Sequence, residues 1–236
     1  MFAAACRAWP GGITIRAVSA STPTSATSSI IRPRLRGVAD YYATAASIPG
    51  VALLIAGARP GAATTAAAVY GVCLVILLIG STLYHMPHWS VRTLLWLQRI
   101  DHANIYLMIA GSCTPLGLAL MPGPGGWLLV AMWTAAGLGI LKCLVWPGGP
   151  RRLNAGLYVL MGALTLPYVS ALKTAVGPDN FLLLATGGLL YLISAIVYSL
   201  RWPNPVPLVF GYHEVFHLFV FSAAFVHFVA IWRLVT

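Results

Sequence analysis

The side chains able to do chemistry are few, and their spacing is the first clue. The sequence holds six histidines and four acids. His213 and His217 stand four apart, so on a helix both imidazoles share one face. His85 has Ser81 four residues before it, again on one face, and Asp101 follows after a short polar break. Three neutral imidazoles make a tetrahedral, nitrogen-ligated zinc set with a fourth position open for water. The predicted ligands are therefore His85, His213 and His217, the predicted cofactor is Zn2+, and Asp101 and Ser81 are its predicted catalytic neighbours. The run His213-Glu214-Val215-Phe216-His217 also matches HExxH, which would make Glu214 a general base. Its metzincin extension fails because residue 223 is alanine. His88, His102 and His227 read as structural, Asp179 as a turn residue and Asp40 as an acid that starts a helix. Glu214 is open to either reading. Cys6, Cys73, Cys113 and Cys143 form no pair or CxxC motif and read as small hydrophobes.

Whether these residues meet depends on the elements that carry them. Of 236 residues, 59% are hydrophobic and 8% charged, against roughly 25% charged in a soluble domain. Eighteen charges cannot coat a water-exposed globule of this size. A soluble enzyme, a nucleic-acid-binding domain and a disordered chain are excluded; the expected partners are membrane lipids, and no nucleic acid. Apolar stretches near 38–58, 62–85, 101–121, 126–146, 153–173, 181–200 and 211–235 reach the length that crosses a bilayer, about 20 residues. Turn formers separate them, as in Arg59-Pro60-Gly61, Pro122-Gly123-Pro124-Gly125 and Pro147-Gly148-Gly149-Pro150. The first stretch is the weakest, with Asp40, Thr44, Ser47 and Pro49. Counting it predicts an all-α membrane protein, a seven-transmembrane helix bundle; dropping it leaves six spans.

Seven spans put Arg7, Arg16, Arg32, Arg34, Arg36, Arg92, Arg99, Lys142, Arg151, Arg152 and Arg201 on one side. Arg59, Lys173 and Arg233 fall on the other. Cytoplasmic loops carry the Lys/Arg excess, which predicts a cytoplasmic N-terminus and a C-terminus outside. The second span then ends, and the third and seventh begin, at the inner face. Ser81, His85, Asp101, His213 and His217 are expected at one depth. An ionisable residue at the bilayer centre costs about 2.5–3.5 kcal/mol on insertion scales, so such a gathering suggests function. Residues 1–37, basic and free of acids, read as a flexible tail before a transmembrane domain over 38–236. Their composition also resembles a transit peptide. The cluster Arg32-Pro33-Arg34-Leu35-Arg36 would rest on anionic headgroups.

The order Ser81-Thr82-Leu83-Tyr84-His85, Asp101-His102, His213-Glu214-Val215-Phe216-His217 resembles the hemolysin III family. That family is related to the progestin and adipoQ receptors and, more distantly, to alkaline ceramidases. The likeness runs from about residue 34 to the C-terminus and includes Arg36-Gly37 and Thr114-Pro115. It implies a zinc near the cytoplasmic side held by His85, His213 and His217, a supporting Ser81, and an Asp101 that holds the zinc-bound water. It implies a multi-pass protein of the cell membrane that hydrolyses a lipid amide. Asp101 would take a proton from water and pass it to the leaving amine, while Ser81 bonds the oxyanion or steadies the aspartate. Kinks at Pro115 and Pro167 would open a lateral gap for an acyl chain. The receptors' sizeable N-terminal domain has no counterpart here. Alternatives are a zinc-stabilised receptor-like protein, a cytolytic pore former and an intramembrane HExxH protease.

Overall fold

The computed structural model describes residues 33–86 and 89–236. Among them are eight α-helices, one 3₁₀ turn and no strand. The helices are α1 Val38–Gly57, α2 Ala62–His85, α3 Val91–Ala119, α4 Gly125–Val145, α5 Arg151–Ala163, α6 Val169–Val176, α7 Pro178–Leu200 and α8 Tyr212–Val235. Six segments are long and apolar enough to cross a membrane: α1, α2, α4, the pair α5–α6 taken as Arg151–Val176, α7 and α8. The remaining basic N-terminal residues, 1–32, lie outside the described residues, as does the expectation of a flexible tail there.

Two expected spans differ in form. The third, expected at 101–121, begins ten residues earlier, at Val91, where the Ser90 hydroxyl accepts the Thr93 N–H at 3.2 Å and caps the helix. At 29 residues α3 is about 44 Å long. It carries Arg92, Arg99, Asp101, His102 and Asn104, polarity that a lipid-facing helix would not tolerate. α3 touches α2, α4, α5, α6 and α8, and from Ala103 to Gly117 most of its residues are buried among them. The fifth, expected as one helix over 153–173, is broken. Pro167 has no N–H to give, and the 3₁₀ turn Leu166–Tyr168 joins α5 to α6 through i→i+3 bonds such as Tyr168 N–H to Thr165 O at 3.0 Å. Pro115, by contrast, is buried inside α3, whose helix runs through it.

Burial is inverted relative to a soluble bundle. Leu53, Leu138, Leu182 and Phe225 face outward, while Asp40, Ser81, His85, Glu214 and His217 are buried. In hydrocarbon this is the favourable arrangement, because apolar surface meets lipid and polar groups find partners inside. Leu54, Tyr70, Leu74 and Ile231 pack α1, α2 and α8 together. A second cluster, with Tyr106, Leu128, Met132 and Met161, packs α3, α4 and α5. The α3–α4 hairpin closes tightly: a Cβ on Gly125 would lie 1.9 Å from the Gly117 carbonyl oxygen.

Candidate metal centre

α2 ends at His85, α8 begins at Tyr212 and α1 begins at Val38, and these three helix ends meet. The reason is topological: α2 runs antiparallel to α1, and α8 returns beside both. His85 Nε2 lies 3.3 Å from His213 Nε2 and 3.2 Å from His217 Nε2, and the last two are 2.8 Å apart. His85 and His217 are buried and His213 is partly buried.

Three imidazole nitrogens turned on one point cannot satisfy each other. A neutral ring has one N–H and one lone pair, so a closed trio leaves at least one pair of like groups face to face. A cation at the centre would accept all three lone pairs. Nitrogen ligands at 2.0–2.1 Å in a tetrahedron stand about 3.3–3.4 Å from one another, close to two of the observed separations. The three histidines therefore could hold a metal ion.

The surroundings fix how the rings face. His217 Nδ1 lies 3.3 Å from Asp40 Oδ1, and the Ser81 hydroxyl donates to the same oxygen at 2.6 Å. Asp40 is 2% exposed. An N–H held on Nδ1 leaves the Nε2 lone pair free toward the other histidines, the usual function of a carboxylate behind a ligating histidine. This corrects the reading of Asp40 as a helix-start acid: it lies in the first turn of α1, but its partners come from α2 and α8. The sequence places Asp40 at the predicted depth of the histidines but does not name its partner. Asp101, on α3, has Ser81 and Asp40 as polar neighbours, with His102 Nδ1 4.0 Å from its Oδ2.

Glu214 has a different task. Its Oε2 accepts the Gly211 N–H at 2.8 Å, and its Oε1 faces Arg36 Nε at 2.5 Å. The carboxylate closes the first turn of α8 and pairs with a cation, whereas the HExxH reading needs it as a base beside the metal. Arg36 enters the framework with its neighbours: Arg34 and Leu35 donate backbone N–H bonds to Leu208 and Val209 at 3.1 and 3.2 Å. Gly37 follows at φ +81°, and a Cβ there would meet His85 Cβ at 3.0 Å. The sequence offered no means of pairing Arg36 with a residue 178 positions away.

The other histidines are engaged elsewhere. His102 contacts the Gln98 carbonyl at 2.7 Å and the Tyr198 hydroxyl at 3.4 Å, and His227 contacts the Leu184 carbonyl at 3.1 Å. His88 and Cys6 lie outside the described residues. Cys73, Cys113 and Cys143 are free and buried. Tyr212, Phe216 and Tyr198 stand around the His213 ring at centroid distances of 6.2, 5.5 and 6.4 Å.

Comparison with known proteins agrees with the family resemblance. Residues 28–228 match the family model described as "Haemolysin-III related". Hemolysin-3 of Bacillus cereus is 35% identical over 183 residues, covering 75% of this chain and 80% of that protein. The Hemolysin-3 homolog of Bacillus subtilis (strain 168) is 33% identical over 183 residues, with 75% and 82% covered. The human monocyte to macrophage differentiation factor is 27% identical over 170 residues, with 70% and 68% covered. With its apolar helices and its converging histidine trio, the chain belongs to the haemolysin-III-related family of multi-pass membrane proteins.

Proposed function

We propose that this protein is a zinc-dependent hydrolase of lipid amide or ester bonds. It works at the cytoplasmic end of seven membrane spans in the plasma membrane, with α3 as the additional span, the N-terminus inside and the C-terminus outside. The observation that carries the reading is the convergence of the His85, His213 and His217 Nε2 atoms, with His217 oriented from behind by Asp40. Bound there, zinc would supply Lewis acidity and a more acidic water.

The chain's own residues do the rest. Asp101 accepts a proton from the attacking water and returns it to the leaving nitrogen or oxygen, so that water and a lipid amide give a fatty acid and an amine. Ser81, donating to Asp40 and neighbouring Asp101, holds the two carboxylates in register. The outward apolar faces of the helices lie against the acyl chains of the substrate bilayer. Arg36 and Glu214 act on the framework, and neither touches the reacting groups.

Elemental analysis of detergent-purified protein tests the metal: the wild type carries zinc and His213→Ala does not. Asp101→Asn keeps zinc and loses release of fatty acid from lipid amides or esters. A metal-free wild type overturns the reading. Turnover that is absent in the zinc-loaded wild type leaves the metal a structural, receptor-like role. Cytolysis, which the names of the Bacillus relatives carry, instead predicts dye leakage from liposomes that ignores the metal.

A further inference from the structure

At the same end of the bundle, beyond Tyr198, lies a second polar feature. A cavity of about 270 Å³ opens between α3, the turn after α4, α5 and α7, with Gln98, Arg99, His102, Arg151, Asn154 and Tyr198 in its wall. A small adjoining recess shares Arg99 and Asn154 and adds Lys142. Arg99 and Arg151 therefore border the partly enclosed cavity, and Lys142 stands in the recess that adjoins it.

No carboxylate balances them. Among the described residues the ion pairs are Arg36 with Glu214, His217 with Asp40 and His102 with Asp101; none reaches Arg99, Lys142 or Arg151. The fourth acid, Asp179, is in the first turn of α7, while Tyr198 is in its last, so it lies a helix length away.

The cations are held in place by neutral partners instead. The Arg151 guanidinium stacks 5.5 Å from the Tyr198 ring centroid and donates to the Tyr212 hydroxyl at 3.5 Å. Lys142 Nζ donates to Asn154 Oδ1 and sits 5.5 Å from the Trp146 ring, and Arg99 sits 4.6 Å from the Trp96 ring. Arg151 Nε is buried with no hydrogen-bond partner among the described residues. A buried guanidinium N–H without an acceptor is costly, and such orphans mark a missing partner. Residue choice is telling too: α5 opens with Arg151 and Arg152, where the helix dipole disfavours cations unless an anion sits between them.

We infer that this cavity binds a phosphate group, as inorganic phosphate or on a phospholipid headgroup, with Arg99, Lys142 and Arg151 as its cationic ligands. Phosphate suits the site because several cations can share its charge and its oxygens accept from guanidinium forks. Basic pockets between helices at a membrane face are a known means of holding such headgroups. The inference stands on the cavity's own residues and needs no metal.

The test uses the full-length protein in phosphatidylcholine nanodiscs. Trp96 and Trp146, stacked on Arg99 and Lys142, report by fluorescence, and the thermal midpoint is read alongside. One arm adds inorganic phosphate at constant ionic strength; the other replaces a minor share of the lipid with phosphatidic acid. The wild type gives a saturable response, in the first arm if free phosphate is the ligand and in the second alone if the headgroup is. Arg99→Gln/Arg151→Gln weakens that response about tenfold or more, the loss expected for two charge-assisted contacts. Arg92→Gln, an exposed change outside the cavity wall, leaves it intact. Should the double variant fold poorly, Lys142→Gln carries the same expectation. Equal responses in the cavity variant and Arg92→Gln, or no saturable response in either arm, overturn the inference.

Discussion

The Asp40 carboxylate accepts a hydrogen bond from the Ser81 hydroxyl and faces a ring nitrogen of His217, with helices α1, α2 and α8 each contributing one member. On the proposed metal reading, that arrangement makes affinity sensitive to a residue that is not itself a ligand. Asp40→Asn is expected to weaken metal binding about 10–100-fold, because the ring loses the charge that orients it and raises its basicity. Competition with a graded series of chelators measures this. Glu214→Gln supplies the contrast: metal stoichiometry and lipid release stay at the wild-type level, and only the thermal midpoint falls. The loss corresponds to about 1–3 kcal/mol for weakened hydrogen bonds to charged groups. An HExxH protease would respond in the opposite order, losing activity with Glu214.

Among the elements, α3 and the α3–α4 hairpin determine whether the interior closes. α3 carries Asp101 toward α2 and buries Asn104 and Thr114 among other helices, and α4 is clamped against it where Gly125 meets the Gly117 carbonyl. Gly125→Ala forces backbone apart, and overpacking of this kind costs roughly 1–3 kcal/mol or more. Gly137→Ala, on the same helix, adds a methyl with nothing within 4 Å and is expected to leave stability unchanged or raise it by up to about 1 kcal/mol. Tryptophan-monitored thermal unfolding in detergent distinguishes the two. The break at Pro167 shows a different rule, since a missing N–H ends one helical ladder while the combined α5–α6 segment keeps the length to cross.

For the whole molecule, the number of spans and the side on which the site faces are one question. Six helices satisfy length and apolarity on their own; in the proposed seven-span arrangement α3, which packs against five other helices, is the additional one. With seven, the termini lie on opposite faces, and the basic residues gather on the side of the histidines. A fluorescent protein fused at the N-terminus should glow in the cytoplasm, and alkaline phosphatase fused after Thr236 should be active outside. A phosphatase fusion that is made but inactive, as its reduced cysteines would leave it in the cytoplasm, would reduce the count to six and invert one end of the proposal.

Much of this was legible along the chain. Apolar runs punctuated by Pro and Gly announce membrane helices, because hydrocarbon admits little else, and the i, i+4 spacing of His213 and His217 places both rings on one face. The alternation of helices brought His85 to the same end without any tertiary knowledge. What the chain alone could not give is which neighbour a polar side chain chooses. Asp40 and Arg36 both looked like local features of a helix start and a basic tail. Only the packing of α1 against α2 and α8 turned one toward His217 and the other toward Glu214, since hydrogen bonds between distant segments depend on ångström-scale side-chain geometry that no sequence period encodes. The same reason explains the uncompensated cations of the cavity: a charge is read from the sequence, but the absence of a partner for it exists only in three dimensions.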